Sequence, residues 1–122
     1  MDNIEKWIDG FRSKFPEYGD INNPEHGHCQ KAAHHFQKYC FGIFIPTGWP
    51  YPVFEFYTDS SDNPCPEVYK DGAHIHAIVN FPECYIDWTA RQYDAALPFP
   101  FIIRKKNVKR RKAEIGQSFS TK

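Results

Sequence analysis

The hydrophobic residues of this chain change their spacing partway along it, and this change limits the possible folds more than any other feature. From Asp2 to Gly42 the apolar side chains recur every three or four residues, as on one face of an α-helix. Beyond Val53 they alternate or run together with β-branched and aromatic residues, as in β-strands. Helices followed by adjacent antiparallel strands predict an α+β domain, with the N-terminal helices packed on a small antiparallel sheet.

The helical part contains two amphipathic stripes. The first helix is predicted to begin near Asp2 and to end at Pro16. Its apolar stripe comprises Ile4, Trp7, Ile8, Phe11 and Phe15. The second helix is predicted over about residues 29–41, with Gly42 as its stop. Its stripe comprises Cys29, Ala32, Ala33, Phe36 and Cys40. Residues 17–28 have no period and are rich in Gly, Asn and Pro, so they predict a loop.

The second half of the chain predicts strands over residues 53–57, 73–81 and 84–89, with 101–103 as an edge strand. The polar residues 58–72 form a loop long enough to be a lid or a surface excursion. If Pro82-Glu83 is a hairpin turn, Ile78 lies opposite Asp87 and His76 lies one diagonal step away. Since side chains two apart on a strand share a face, His74, His76 and Asp87 are expected on the same side.

Size and charge suit one domain with a short appendage. The chain has 122 residues, of which 41% are hydrophobic and 17% aromatic, enough for a single core over residues 1–103. Those residues carry 7 Lys and Arg against 14 Asp and Glu, whereas 104–122 carry 8 against 1. Residues 104–122 are therefore predicted to be a basic C-terminal tail, solvated at the edge of an acidic body.

Redox state and membrane association follow from local patterns. The four cysteines are too sparse and irregular for a disulfide framework, so reduced thiols are expected. The N-terminus has no basic region leading into an apolar run, and the apolar stretch from Phe41 to Tyr57 is broken by prolines. Neither a signal peptide nor a membrane span is predicted.

Three residues have the layout of a cysteine nucleophile with its base and orienting acid. A cysteine on an apolar helix stripe is usually a small buried hydrophobe, which is the interpretation for Cys40. Cys29 instead begins its stripe and follows Gly27, which allows close approach of backbone or substrate. A helix N-terminus stabilises an anion by about 2 kcal/mol at best, so the thiolate needs an imidazolium partner. His76, oriented by Asp87, is that predicted partner.

The same residues resemble a known family. Gly27-His28-Cys29 at a helix start, His76-Ala77-Ile78-Val79 on a strand, and the segment Tyr85 to Tyr93 with Pro98-Phe99-Pro100 are similar to papain-fold toxin domains at the C-termini of bacterial polymorphic toxins and effectors. The resemblance covers roughly residues 25–102. Its most specific part is Asp-x-Thr-Ala-Arg-Gln-aromatic, which begins at Asp87.

This resemblance implies a papain-like or transglutaminase-like core with a Cys, His, Asp triad, here Cys29, His76 and Asp87. It implies a protein glutamine deamidase, or alternatively a peptidase, with no cofactor and no metal. Papain-like peptidases usually place a glutamine before the nucleophile to bind the oxyanion. Here Asn23 precedes Cys29 and Gln30 follows it. The backbone N–H of Cys29 is another expected donor.

Further substrate contacts and partners are also expected. His28 and Trp88 are candidate substrate contacts, and Trp49 and Tyr51 could also line a slot for a glutamine side chain. Arg91 and Gln92 are expected to brace the hairpin. The resemblance implies a protein substrate in a host or competitor cell, a cognate immunity protein, and delivery without a classical signal peptide into the target-cell cytoplasm.

Two other classes of function remain open from the residues alone. A zinc module could use His26, His28, Cys29 and the His74-Ile75-His76 pair, although no Cys-x2-Cys pair exists. A nucleic-acid or partner-binding domain could act through the basic residues 104–112, although nucleic acid is the less favoured partner.

Overall fold

Two helices precede a four-stranded sheet. The computed structural model describes residues 2–44 and 53–108. Its main elements are α1 (Asp2–Lys14), α2 (Cys29–Phe44), β1 (Val53–Tyr57), β2 (Ile75–Asn80), β3 (Cys84–Asp87) and β4 (Phe101–Arg104). The strands lie side by side in chain order, and each neighbouring pair is antiparallel. The predicted α+β class is therefore confirmed.

The two helices form where the apolar periodicity places them. The stripe of α1 is buried from Ile4 to Phe11, and the helix ends at Lys14, before Pro16. The predicted end of α2 at Gly42 is wrong, because the helix continues through that glycine to Phe44. A glycine within a helix costs only about 1 kcal/mol relative to alanine, so it weakens a helix without necessarily ending it.

The central hairpin has the predicted register. Val79 pairs with Ile86, and Asn80 pairs with Tyr85. This register continues to place Ile78 beside Asp87, with His76 diagonally adjacent. Because β3 ends at Asp87, the first residues of β2, from Ile75 onward, extend beyond the end of β3. His76 therefore lies in a part of β2 that is not paired with β3.

The sheet separates two apolar clusters. Ala77 and Val79 face the main core, which lies between the sheet and both helices and includes Phe11 and Phe36. The alternate residue Ile78 faces a second cluster on the opposite side of the sheet. That cluster comprises Phe56, Tyr69, Ile78, Tyr85 and Ile103. Both sheet faces are thus covered, whereas the sequence predicted only the packing of the helices on one of them.

The polar segment after β1 covers the second cluster. Asn63 is buried, and its side-chain amide donates hydrogen bonds to the backbone oxygens of Thr58 and Tyr69. Its side-chain oxygen accepts from the backbone N–H of Cys65 at 2.8 Å. These bonds fold the segment against the sheet and bury Tyr69 completely. The segment is therefore a packed part of the domain.

The first residues of the predicted basic tail also belong to the folded domain. Arg104 pairs with Cys84 in β4, and the backbone N–H of Lys105 donates to the oxygen of Glu83 at 3.0 Å. Val108 packs against the second cluster. The folded part thus extends at least to residue 108, beyond the predicted boundary at 103. Residues 109–112, the rest of the basic run, lie outside the described residues.

Within residues 2–44 and 53–108, no helix is long and apolar enough to cross a membrane.

Candidate active site

Cys29 stands at the first position of α2. A short 3₁₀ turn, Pro24–Gly27, leads into the helix, and its cap is the side-chain oxygen of Asn23, which accepts from the N–H of Glu25 at 3.0 Å. The first helical hydrogen bond runs from the N–H of Ala32 to the oxygen of His28. The N–H of Cys29 therefore belongs to the first turn, whose donors have no partner within the helix. The thiol is half-buried.

His76 lies near the beginning of β2, on the sheet face that carries the second cluster. Its side chain is fully buried. The rings of Phe56, Tyr69 and Tyr93 surround it, with centroid distances of 5.6, 5.1 and 4.9 Å. These contacts hold the imidazole in one orientation, with Nε2 directed to Asp87.

Asp87 is the last residue of β3. It is buried, and both of its carboxylate oxygens accept hydrogen bonds. Oδ2 lies 2.9 Å from Nε2 of His76 and also accepts the hydroxyl of Tyr69. Oδ1 accepts the backbone N–H of Thr89 at 2.9 Å. Hydrogen bonds to the ionised form stabilise a buried carboxylate. The other ring nitrogen of His76, Nδ1, is buried and makes no close, well-aligned hydrogen bond with a described residue, so the interaction of His76 with the Cys29 thiol is a looser one.

The thiol of Cys29 and the imidazole of His76 shift each other's pKa. Burial by itself raises the pKa of Cys29, but a hydrogen bond and the positive charge from His76, with a hydrogen bond from the backbone of Ala77, outweigh it and lower that pKa. Burial likewise lowers the pKa of His76, but the charge and hydrogen bond of Asp87, followed by those of Cys29, raise it to about 9. Each group therefore stabilises the charged form of the other, the thiolate of Cys29 and the imidazolium of His76.

The other cysteines have the opposite character. Burial raises the pKa of Cys40 to about 12 and that of Cys65 to about 11, the latter with help from Glu67. Burial also raises the pKa of Cys84. Among these four thiols only Cys29 has a pKa below its ordinary value.

Two tyrosines at this site were missed from the sequence. Tyr69 comes from the polar segment before β2, where no periodicity marks it as buried. Tyr93 lies at the end of a conspicuous motif, but nothing in the motif tells which residues face the imidazole. Burial, followed by the negative charges of Cys29 and Asp87, raises the pKa of Tyr93. Tyr93 is only half-buried, so it stands between the imidazole and the surface.

The predicted oxyanion and substrate residues near Cys29 already have partners. The side-chain oxygen of Asn23 caps the 3₁₀ turn. Gln30 donates to a carboxylate oxygen of Glu55 at 2.7 Å, on the surface. His28 is exposed and lies 3.1 Å from Glu25. Of the donors proposed for the oxyanion, the backbone N–H of Cys29 remains, because it belongs to the first turn of α2 and has no partner within the helix.

Trp88 is placed in the main core. It is 2% exposed, and its ring packs against Phe11, Phe36 and Phe99. Its position does not support a direct substrate contact, because its side chain is buried in that core. The other two aromatic residues expected to line a slot, Trp49 and Tyr51, lie outside the described residues.

Arg91 and Gln92, which were expected to brace the hairpin, make their hydrogen bonds in the segment that follows β3. The Arg91 guanidinium donates to the backbone oxygens of Leu97 and Gly19 at 2.8 and 3.1 Å. The Gln92 amide donates to the hydroxyl of Thr89 at 3.0 Å. These bonds hold the chain that follows Asp87, including Tyr93.

The histidines do not gather into a metal site in the described ranges. No group of three or more His, Cys, Asp or Glu side chains there has the arrangement that a metal ion needs. His74 is exposed, whereas His76 is buried against Asp87. Nothing in this arrangement favours the zinc module.

Comparisons with known proteins add no relative: no family model, no curated protein and no solved structure matches this chain.

Proposed function

We propose that this protein is a cysteine hydrolase in which Cys29 is the nucleophile, His76 the general acid and base, and Asp87 the residue that orients His76. One observation carries this proposal: a half-buried thiol at a helix start has a lowered pKa because it faces a buried imidazole that is paired with a buried carboxylate. Such an arrangement activates a thiol for attack on a carbonyl carbon.

The reaction follows from the two ring nitrogens. Because Nε2 of His76 is engaged by Asp87, the proton exchanged with Cys29 and with the leaving group is carried by Nδ1. The thiolate adds to the carbonyl carbon of a carboxamide or peptide bond, and the imidazolium gives its proton to the departing nitrogen as the C–N bond breaks. A thioester and a neutral imidazole remain.

Water completes the cycle. The imidazole takes a proton from water as its oxygen attacks the thioester, and the C–S bond breaks to release a carboxylic acid and the thiolate. The departing nitrogen leaves as ammonia in deamidation and as an amine in peptide cleavage. The backbone N–H of Cys29 supports the oxyanion in both steps, since a first-turn donor has no helical partner.

The substrate class is a proposal from the resemblance described above. We assign the chain to papain-like or transglutaminase-like cysteine hydrolases, acting as a bacterial toxin or effector that deamidates protein glutamine in a target-cell cytoplasm. A papain-like peptidase is the alternative within the same chemistry. A cognate immunity protein that covers the cleft is then expected in the producing cell.

The test separates the two reactions and the nucleophile at once. The wild-type protein, Cys29→Ala and Cys65→Ser are incubated with casein and with extracts of candidate target cells, followed by intact-mass analysis and an ammonia assay. We expect amide-to-acid conversion by the wild type and by Cys65→Ser, and none by Cys29→Ala. Backbone fragments in place of deamidation would favour the peptidase, and equal activity in all three proteins would sink the hydrolase proposal.

A further inference from the structure

Tyr69 makes a fully buried polar contact in the site, and the proposed mechanism gives it no role. Its side chain has no exposed surface, and its hydroxyl donates to Oδ2 of Asp87. The same oxygen accepts from Nε2 of His76. One carboxylate oxygen is therefore shared between a phenol and an imidazole, away from water.

The backbone around Tyr69 holds the phenol in this position. The N–H of Tyr69 donates to the oxygen of Cys65 at 3.0 Å, and its carbonyl accepts the amide of Asn63 at 2.6 Å. The ring packs against Phe56 and His76 with centroid distances of 5.2 and 5.1 Å. The segment is thus built to deliver one hydroxyl to one carboxylate oxygen.

Resting on the proposed function, we propose that Tyr69 is a positioning residue of the catalytic site, which fixes the carboxylate of Asp87 and reduces the negative charge that it presents to His76. A hydrogen-bond donor draws charge from a carboxylate oxygen, and in a low-dielectric site this effect is not diluted by water. The imidazolium next to that oxygen is then less strongly stabilised. Tyr69 thereby keeps His76 able to release its proton to the leaving group.

The direction of the effect follows from the groups around the imidazole. Among the described residues, His76 faces Asp87 from β3, Cys29 from α2, Tyr69 from the preceding segment and Tyr93 from the segment after β3. Asp87 and Cys29 raise the pKa of His76, against burial. Removing the phenol hydroxyl strengthens the contribution of Asp87, so the pKa of His76 should rise above about 9.

The experiment measures that pKa directly. Full-length protein labelled with ¹⁵N in histidine is titrated by NMR as wild type, Tyr69→Phe and Tyr18→Phe. Tyr18→Phe is the matched control, because it also removes a buried phenol bonded to a histidine, His35 at 2.9 Å, but in the main core. We expect Tyr69→Phe to raise the pKa of His76 by about half a unit or more and Tyr18→Phe to leave it unchanged.

A second substitution tests the opposite direction and keeps the ring in place. Site-specific 3-fluorotyrosine at position 69 has a more acidic hydroxyl, which donates more strongly to Asp87. It should lower the pKa of His76 and would remain informative if Tyr69→Phe failed to fold. A pKa that stays at the wild-type value in the folded variants would overturn the inference and leave Tyr69 as packing alone.

The same titration keeps the inference separate from the proposed function. A wild-type His76 that titrates at the ordinary value near 6.5 would contradict the ion pair on which both rest. A wild-type value near 9 with no response to either substitution would sink only the role of Tyr69.

Discussion

Nε2 of His76 lies 2.9 Å from Oδ2 of Asp87, and neither side chain has any exposed surface. A buried ion pair contributes little net stability, because the cost of removing two charges from water offsets much of their attraction. Its effect here falls on the neighbouring thiol, which gains an imidazolium partner. The contact therefore supports the proposed chemistry at Cys29.

Selective alkylation should identify Cys29 as the reactive thiol. At mildly acidic pH only a thiol with a lowered pKa has an appreciable thiolate fraction, so iodoacetamide should modify Cys29 about 100-fold faster than Cys65. Cys65 is the matched control because it is also partly accessible. Peptide mapping after brief exposure gives both rates. Equal labelling of the two cysteines would contradict an activated Cys29.

Asp87→Asn should lower the reactivity of Cys29 while a side chain of the same shape still fills the position. The substitution keeps the shape but removes the negative charge that most strongly opposes the effect of burial, so the pKa of His76 falls. We expect alkylation of Cys29 at pH 6 to slow about tenfold or more, and turnover to fall about 100-fold or more. Asp94→Asn, at an exposed carboxylate on the following segment, is the control and should change neither rate.

The pH dependence of stability should reveal the ion pair. His76 has a raised pKa, so its contribution is complete below about 6.5 and is lost as the pH rises through about 9. Cys29 has a lowered pKa, so its contribution is complete above about 8.5 and is lost as the pH falls through the lowered value. Where these two ranges overlap, below about pH 8.5, the two changes cancel.

Cys29→Ser removes the contribution of the thiol to the pH dependence of stability, so that of His76 is no longer cancelled. Within that overlap, the free energy of unfolding of Cys29→Ser should fall relative to wild type as the pH rises, by at most about 1.4 kcal/mol per pH unit. The decline should stop once His76 has lost its proton in the folded variant. Urea unfolding of both proteins across this range gives the difference, in which the other titrating groups cancel. A difference independent of pH would mean that no ion pair forms.

Gly19 and Gly27, the last residues of the two 3₁₀ turns Pro16–Gly19 and Pro24–Gly27, should respond differently to alanine. A methyl group at Gly27 would meet only the side-chain oxygen of Gln92, at 4.0 Å, so Gly27→Ala should change the free energy of unfolding by less than about 0.5 kcal/mol. A methyl group at Gly19 would collide with the ring of Phe99, so Gly19→Ala should destabilise by about 1–3 kcal/mol. Denaturant unfolding measures both. Lost turnover in a stable Gly27→Ala would place substrate beside this glycine.

Truncation should separate the basic tail from the fold. Removing residues 109–122 should leave both the melting temperature and the alkylation rate of Cys29 close to wild type, because the contacts of Cys29, His76 and Asp87 described above lie within residues 2–44 and 53–108. Removing residues 104–122 deletes the pairing of Arg104 with Cys84 and the packing of Val108, so the melting temperature should drop by several degrees. Loss of thiol reactivity in the shorter deletion alone would point to a function of the tail in the site.

The sequence alone determined the order of elements and much of the candidate site. Apolar spacing located both helices, and the strand patterns with a Pro-Glu turn predicted the register that brings Asp87 beside Ile78 and near His76. These features follow from period and turn chemistry, which are local properties of the chain. The position of Cys29 at a helix start was legible for the same reason.

Only the tertiary structure decided what surrounds those residues. The second cluster, the burial of Asp87 and the arrival of Tyr69 from a polar segment depend on contacts between distant parts of the chain. The assignment of Trp88 to the core and of Gln30 to a surface contact depends on them as well. Local spacing specifies which face a side chain takes, but burial and charge coupling arise from the neighbours that folding brings to that face.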